Sequence, residues 1–103
     1  MFEIYYTDEF EKKFRKLDTQ LQEEVKREIS QLESNPFGGK PMGYPFFREK
    51  RVRELRVYYL IYEDYVIVFV VSLSGKKDQQ KTIDTIKELI PYYREEIKKL
   101  LKS

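Results

Sequence analysis

The stretch RVRELRVYYLIYED, residues 51–64, decides the predicted fold, because its apolar and aromatic residues follow the period of two that strands require. FFREKRV precedes it and YVIVFVVS follows it, so residues 46–74 predict consecutive strands with breaks at Arg53 and Glu54 and at Asp64. We expect these strands to pair antiparallel, with a hairpin turn at Arg53 and Glu54. The last strand is almost continuously apolar, which predicts a central position in the sheet.

Helical patterns flank this strand region on both sides. FEIYY predicts one earlier strand, and Thr7 can cap a first helix that ends near Leu17, while Asp18 or Thr19 can cap a second one. In the C-terminal helical pattern, Pro91 either kinks the helix or opens a separate one. The sequence predicts an α+β fold with the order β-α-α-β-β-β-α: a small antiparallel sheet, an N-terminal helical hairpin packed on it and a C-terminal helix.

Length and composition restrict the chemistry. A chain of 103 residues predicts a single domain over residues 1–103. Cysteine and histidine are both absent, which excludes disulfides, thiolate nucleophiles and imidazole bases. The sequence has no apolar run of about 18 residues, and acids occupy its start where a signal peptide would carry positive charge. We therefore expect a soluble, cytoplasmic protein that does not associate with membranes.

Charge is distributed unevenly along the chain. The formal net charge is only +2, but residues 1–35 hold 6 basic and 9 acidic side chains, whereas residues 36–81 hold 9 basic and 5 acidic ones. A local basic surface of this kind can bind phosphate groups even when the whole protein is nearly neutral. The sequence thus predicts an anionic partner for the middle of the chain.

Two segments, KPMGYPFFREKRVRELRVYY and VIVFVVSLSGKKDQ, resemble the RelE/ParE superfamily of toxins from toxin-antitoxin pairs when they are taken with the element order. The family pattern RVxxxRVxY is matched by Arg51, Val52, Arg56, Val57 and Tyr59. Lys76 falls at the family's arginine after the last strand, and Met42 and Gly43 stand for a Leu and a Gly of the family. The chain departs from the pattern at Gly75, where the family has a histidine, and at Gln80, where it has a tyrosine.

The resemblance implies the toxin of a type II toxin-antitoxin pair, in the RelE-like mRNA interferase branch. Such a toxin would inhibit translation as a ribosome-dependent endonuclease, by attack of a ribose 2′-hydroxyl on the adjacent phosphate, with no metal or cofactor. Its partners would be the ribosome, mRNA and a small, acidic, partly disordered antitoxin. Two alternatives stay open: a ParE-like toxin that binds DNA gyrase, and a catalytically silent module that binds an antitoxin or RNA.

The resemblance also implies a cationic site, because a phosphorane needs positive charge and the planar fork of arginine suits a phosphate. We predict catalytic roles for Arg56, Lys76 and Arg51, and RNA-binding roles for Arg48, Lys50, Arg53, Lys77 and Lys81. Cations on an edge strand can equally serve to prevent sheet-to-sheet pairing, and cations in a loop can form an ordinary solvated surface.

The groups that transfer protons stay open at this point. A lysine, one of the tyrosines or the carboxylate of Glu49 or Glu54 could serve. Alternation along a strand places Arg56 and Tyr58 on one face and Tyr59 on the other, which predicts that Tyr59 belongs to the core.

Overall fold

The computed structural model describes residues 1–102 and contains a five-stranded sheet and three α-helices. The elements are β1 (Glu3–Tyr6), α1 (Asp8–Arg15), α2 (Thr19–Ser30), β2 (Lys40–Tyr44), β3 (Phe47–Val52), β4 (Leu55–Tyr62), β5 (Ile67–Ser74) and α3 (Gln79–Lys102). Two short 3-10 turns, Gln31–Glu33 and Pro36–Gly38, lie between α2 and β2. The α+β class and the order of the predicted elements are confirmed.

The sheet has the strand order β1-β5-β4-β3-β2. Strands β2 to β5 form an antiparallel meander, and β5 lies inside the sheet as its apolar sequence predicts. At the other edge, β1 pairs with β5 in parallel, so the sheet is mixed rather than wholly antiparallel. The helical hairpin explains this arrangement, because it carries the chain from one edge of the sheet to the other.

Strand β2 was not among the predicted strands. Its sequence KPMGY contains a proline and a glycine and has no alternation, and Gly43 adopts a φ of 93° where the pairing is irregular. It is a strand because Lys40 and Pro41 pair with Glu49 and Arg48 of β3. Pairing across the sheet therefore decides this element, and local propensity does not.

The hairpin between β3 and β4 turns at Arg53 and Glu54, as predicted, with Val52 paired to Leu55. Arg53 has a φ of 55°, a left-handed conformation that glycine adopts more readily than arginine. The turn sets the register of the two strands and thereby places Arg51 directly opposite Arg56.

Helices cover both faces of the sheet. Helices α1 and α2 pack on the face that contains Val57, Tyr59 and Val70, and α3 packs on the face that contains Tyr58, Leu60 and Phe69. These two faces are called the α2 face and the α3 face below. Most side chains of β4 and β5 are buried, since each strand is covered from both sides.

The helix ends follow the capping residues of the sequence. The hydroxyl of Thr7 accepts a hydrogen bond from the amide of Phe10 and donates one to the carbonyl of Val71, which fixes α1 against β5. Asp18 rather than Thr19 caps α2, and α1 ends at Arg15, two residues before the predicted end. Helix α3 is continuous through Pro91, so the alternative of a separate last helix is wrong. No helix within residues 1–102 is long and apolar enough to cross a membrane.

Candidate functional site

Polar side chains collect on the α3 face at the end of the sheet that includes the β3–β4 turn. The strand register forms two rows across the sheet there: Arg51, Arg56 and Ser74 in one, and Lys40, Glu49, Tyr58 and Ser72 in the other. Neighbours across a strand pair have Cβ atoms about 5 Å apart, so adjacent members of a row can act on one bound group. The first turn of α3 borders the cluster through Gln79.

Arg56 is the most unusual member of this cluster. Only 4% of its surface is exposed, yet none of the ion pairs within residues 1–102 includes it. Its Nη1 donates a hydrogen bond of 3.1 Å to the carbonyl of Glu54, while its buried Nε has no hydrogen-bond partner. A buried guanidinium without a carboxylate is costly unless an anion binds it, so this geometry suits a phosphate or a similar ligand.

Two further buried groups lie beside Arg56. Glu49 is 6% exposed, and its Oε2 accepts a hydrogen bond of 2.8 Å from Nε2 of Gln79. The hydroxyl of Tyr58 lies 2.9 Å from that of Ser74. Burial raises the pKa of Tyr58 above its ordinary value and Glu49 raises it further, while the Ser74 hydrogen bond and Arg56 oppose the shift. Tyr58 therefore stays protonated at neutral pH and can donate a hydrogen bond.

The predicted catalytic residues lie at this end of the sheet. Arg51 is exposed on β3 opposite Arg56, and Lys76 is exposed in the loop that follows Ser74. Lys77 is exposed in the same loop, and Lys81 lines a cleft of about 480 Å³ between α1, the end of β5 and the start of α3. Of these cations, Arg51 is the direct neighbour of Arg56 across the strand pair, and Lys76 and Lys77 follow Ser74, its neighbour on the other side.

The predicted RNA-binding residues Arg48, Lys50 and Arg53 lie in a different environment from Arg56. Lys50 pairs with Glu28 of α2 at 3.5 Å, and Arg53 pairs with Glu24 of α2 at 2.7 Å. These contacts place both cations on the α2 side of the hairpin. The reason is the strand period of two, which sends Lys50 to the face opposite Glu49 and Arg51.

Arg48 supports the turn before β2. Its Nη1 donates hydrogen bonds to the carbonyls of Phe37 and Gly39, its Nε donates to the carbonyl of Pro45, and its guanidinium lies 5.1 Å from the centre of the Phe37 ring. With three backbone carbonyls as partners, this arginine has a structural role in the fold.

The structure also contains site residues that sequence reasoning did not single out. Lys13 of α1 donates to the Ser72 hydroxyl at 3.0 Å and to the Leu73 carbonyl at 3.2 Å, and Ser72 donates to Glu9 at 2.7 Å. Contacts between residues about 60 positions apart leave no local signal in a sequence. The contact of Gln79 with Glu49 joins residues 30 positions apart and likewise has no local signal, although Glu49 itself is one of the candidate bases that the sequence indicates.

No group of three or more Asp, Glu, His or Cys side chains in the described part of the chain could hold a metal ion. The fold and the site together define a class of protein: a small α+β protein whose mixed sheet carries a buried arginine next to an exposed one, on the sheet face that the C-terminal helix covers.

This chain belongs to the ParE toxin family, since a family profile described as the ParE toxin of the parDE type II toxin-antitoxin system matches residues 4–87. It is therefore a toxin of the RelE/ParE superfamily, as the sequence resemblance predicts. No curated protein matches the chain.

Solved toxin structures share the fold. The intact RelBE toxin-antitoxin complex of E. coli matches with a TM-score of 0.67 and 23% identity, over 73% of this chain and 96% of that one. The isolated E. coli RelE toxin matches with a TM-score of 0.66 and 20% identity, over 84% and 99%. The archaeal RelE-RelB complex from Pyrococcus horikoshii matches with a TM-score of 0.64 and 14% identity, over 73% and 94%.

Proposed function

We propose that this toxin inhibits translation in the cytoplasm by cutting mRNA on the ribosome. The observation that supports this proposal is the buried guanidinium of Arg56 at the polar end of the sheet, which has no carboxylate partner and whose Nε has no hydrogen-bond partner. A bound phosphodiester would supply the missing anion and would accept hydrogen bonds from the planar fork. Strand pairing holds Arg56 in place, so its donors are preorganised for charge that develops in the transition state.

In the proposed reaction a ribose 2′-hydroxyl attacks the adjacent phosphorus and the bond to the 5′-oxygen breaks. Arg56 stabilises the phosphorane, while Arg51 and Lys76 bind the phosphate from the exposed side. Lys77 and Lys81 extend this cationic surface along the path of the RNA. Arg48, Lys50 and Arg53 are left out of the proposed RNA contacts because protein groups already hold them.

Helix α3 packs on the sheet face that carries the site. Arg56 is 4% exposed, so a free RNA strand has little access to it unless the strand is held in a suitable conformation. We propose that the ribosome supplies this alignment, since correct orientation of the reacting groups contributes a large part of such a rate.

Primer-extension mapping of mRNA on translating ribosomes tests the proposal. The wild type should produce cuts, and Arg56→Ala should lower their rate by about 100- to 1000-fold, the usual cost of one preorganised oxyanion donor. Lys76→Ala should lower the rate less. Arg27→Ala is the matched control, because Arg27 is exposed on α2, and it should cut like the wild type.

Each variant is first shown to be folded by circular dichroism and thermal unfolding. Absence of cuts by the wild type would contradict the nuclease proposal, and so would a folded Arg56→Ala protein that cuts at the wild-type rate.

A second candidate function has one observation in its favour, namely that the matching family profile is that of a ParE toxin. A ParE-like toxin that binds DNA gyrase would stop replication with broken DNA and leave mRNA intact. Induction of the toxin in cells, followed by analysis of DNA breaks and of mRNA ends, separates the two candidates. A catalytically silent module would produce neither effect.

A further inference from the structure

Glu49 is a buried carboxylate without a cationic partner. It is 6% exposed, and none of the ion pairs within residues 1–102 includes it. The hydrogen bond that its carboxylate accepts comes from the neutral amide of Gln79. Burying a carboxylate in this way opposes folding, and such groups concentrate at functional sites.

The strand register places Glu49 diagonally across from Arg56. Glu49 pairs with Tyr58 and Arg51 pairs with Arg56, so the Cβ atoms of Glu49 and Arg56 are about 7 Å apart on one face. A phosphate bound by Arg56 would therefore direct the neighbouring ribose towards Glu49. This is the arrangement in which one group stabilises the phosphorane and another removes the 2′ proton.

The other groups that could accept the proton fit less well. Glu54 lies exposed in the hairpin turn, and its backbone carbonyl rather than its carboxylate contacts Arg56. Tyr58 is held in its protonated form by burial, as its raised pKa indicates. Tyr59 lies on the α2 face, where its hydroxyl donates to the Pro36 carbonyl. Among these groups, Glu49 therefore fits the role best.

On the basis of the proposed function, we propose that Glu49 is the general base of the cleavage reaction. Its carboxylate takes the proton of the ribose 2′-hydroxyl, whose oxygen forms a bond to the adjacent phosphorus. The bond from phosphorus to the 5′-oxygen breaks, and the electron pair leaves with that oxygen, which takes a proton from water. The proton on Glu49 neutralises the hydroxide so formed, leaving a 2′,3′-cyclic phosphate and a free 5′-hydroxyl.

Gln79 occupies the position that the 2′-hydroxyl takes in this proposal, because its amide is the donor to Glu49 when no RNA is bound. The ribose hydroxyl must displace that amide. Gln79 is therefore a competitor of the substrate and has no part in the chemistry. A variant without this amide keeps the carboxylate and removes the competing hydrogen bond.

The test measures single-turnover cleavage of a defined mRNA on ribosomes at saturating toxin. Glu49→Gln keeps the size of the side chain and should cut about 100- to 10,000-fold more slowly, the usual range for loss of a general base. Glu49→Asp should recover part of the rate. Gln79→Ala should cut at least as fast as the wild type, because it removes the competing hydrogen bond. If the contact between Glu49 and Gln79 were only structural, Gln79→Ala and Glu49→Gln should lose the same amount of cleavage activity.

Thermal unfolding serves as the folding control, and Glu49→Gln should unfold at the wild-type temperature or above it, because it removes an uncompensated buried charge. If the wild type cuts but Glu49→Gln cuts within threefold of it, the assignment of Glu49 is overturned and the nuclease function stands. Equal losses in Glu49→Gln and Gln79→Ala would also overturn the assignment. If the wild type makes no cuts, the nuclease function fails and the assignment fails with it.

Discussion

The hydroxyl of Tyr59 satisfies two backbone groups of the turn before β2: it donates to the Pro36 carbonyl at 2.7 Å and accepts from the Gly39 amide at 3.0 Å. Tyr59 is fully buried, so Tyr59→Phe leaves both groups without a partner. We expect it to lower the free energy of unfolding by about 2 kcal/mol. Urea denaturation measures the change, with Tyr92→Phe as the control, since Tyr92 is 67% exposed and its loss should change stability by less than about 0.5 kcal/mol. Equal stability of the two variants would contradict this role for Tyr59.

The β3–β4 hairpin and α2 are joined by the ion pair of Arg53 with Glu24, and Arg53 also holds a left-handed φ of 55°. Because Arg53 is more than half exposed, the pair contributes about 0–1 kcal/mol, whereas the left-handed backbone costs about 1–2 kcal/mol for a residue with a Cβ. Arg53→Gly removes the ion pair and also relieves the left-handed backbone strain, whereas Arg53→Ala removes only the ion pair. Arg53→Gly should therefore be more stable than Arg53→Ala by about 1 kcal/mol in urea denaturation, and both should cut mRNA like the wild type. Equal stability of the two variants would show that the turn is not strained.

At the scale of the whole molecule, the two sides of the hairpin differ in charge: Lys50 and Arg53 are paired with carboxylates of α2, whereas Arg51, Lys76 and Lys77 are exposed. We propose that a small, acidic, partly disordered antitoxin covers Arg51, Lys76 and Lys77. Co-expression with the adjacent reading frame should give a complex that copurifies at low and moderate salt, and Arg51→Glu should weaken it by about tenfold. Arg27→Glu, on α2, is the control for total charge and should leave the complex intact. Failure of the two chains to copurify at low salt would contradict the proposal.

Local patterns in the sequence predicted the helices, the strands from Phe47 to Ser74 and the turn at Arg53 and Glu54. They succeed because side-chain period and turn residues act over a few positions of the chain. The alternation of side chains along β3 puts Lys50 and Arg51 on opposite faces of the sheet, so the sequence could have predicted that these two cations lie on different faces. The sequence resemblance predicted the toxin family, which the family profile confirms.

Tertiary structure alone decided the features that depend on contacts between residues far apart in the sequence. Strand β2 exists through its pairing with β3, and β1 is parallel to β5 because the helical hairpin returns the chain to the far edge of the sheet. The burial of Arg56 and the contact of Glu49 with Gln79, 30 positions away, likewise follow from the packing of α3 on the sheet. The physical reason is that a sequence pattern specifies which face a side chain occupies, while the neighbours it meets there depend on strand register and helix packing.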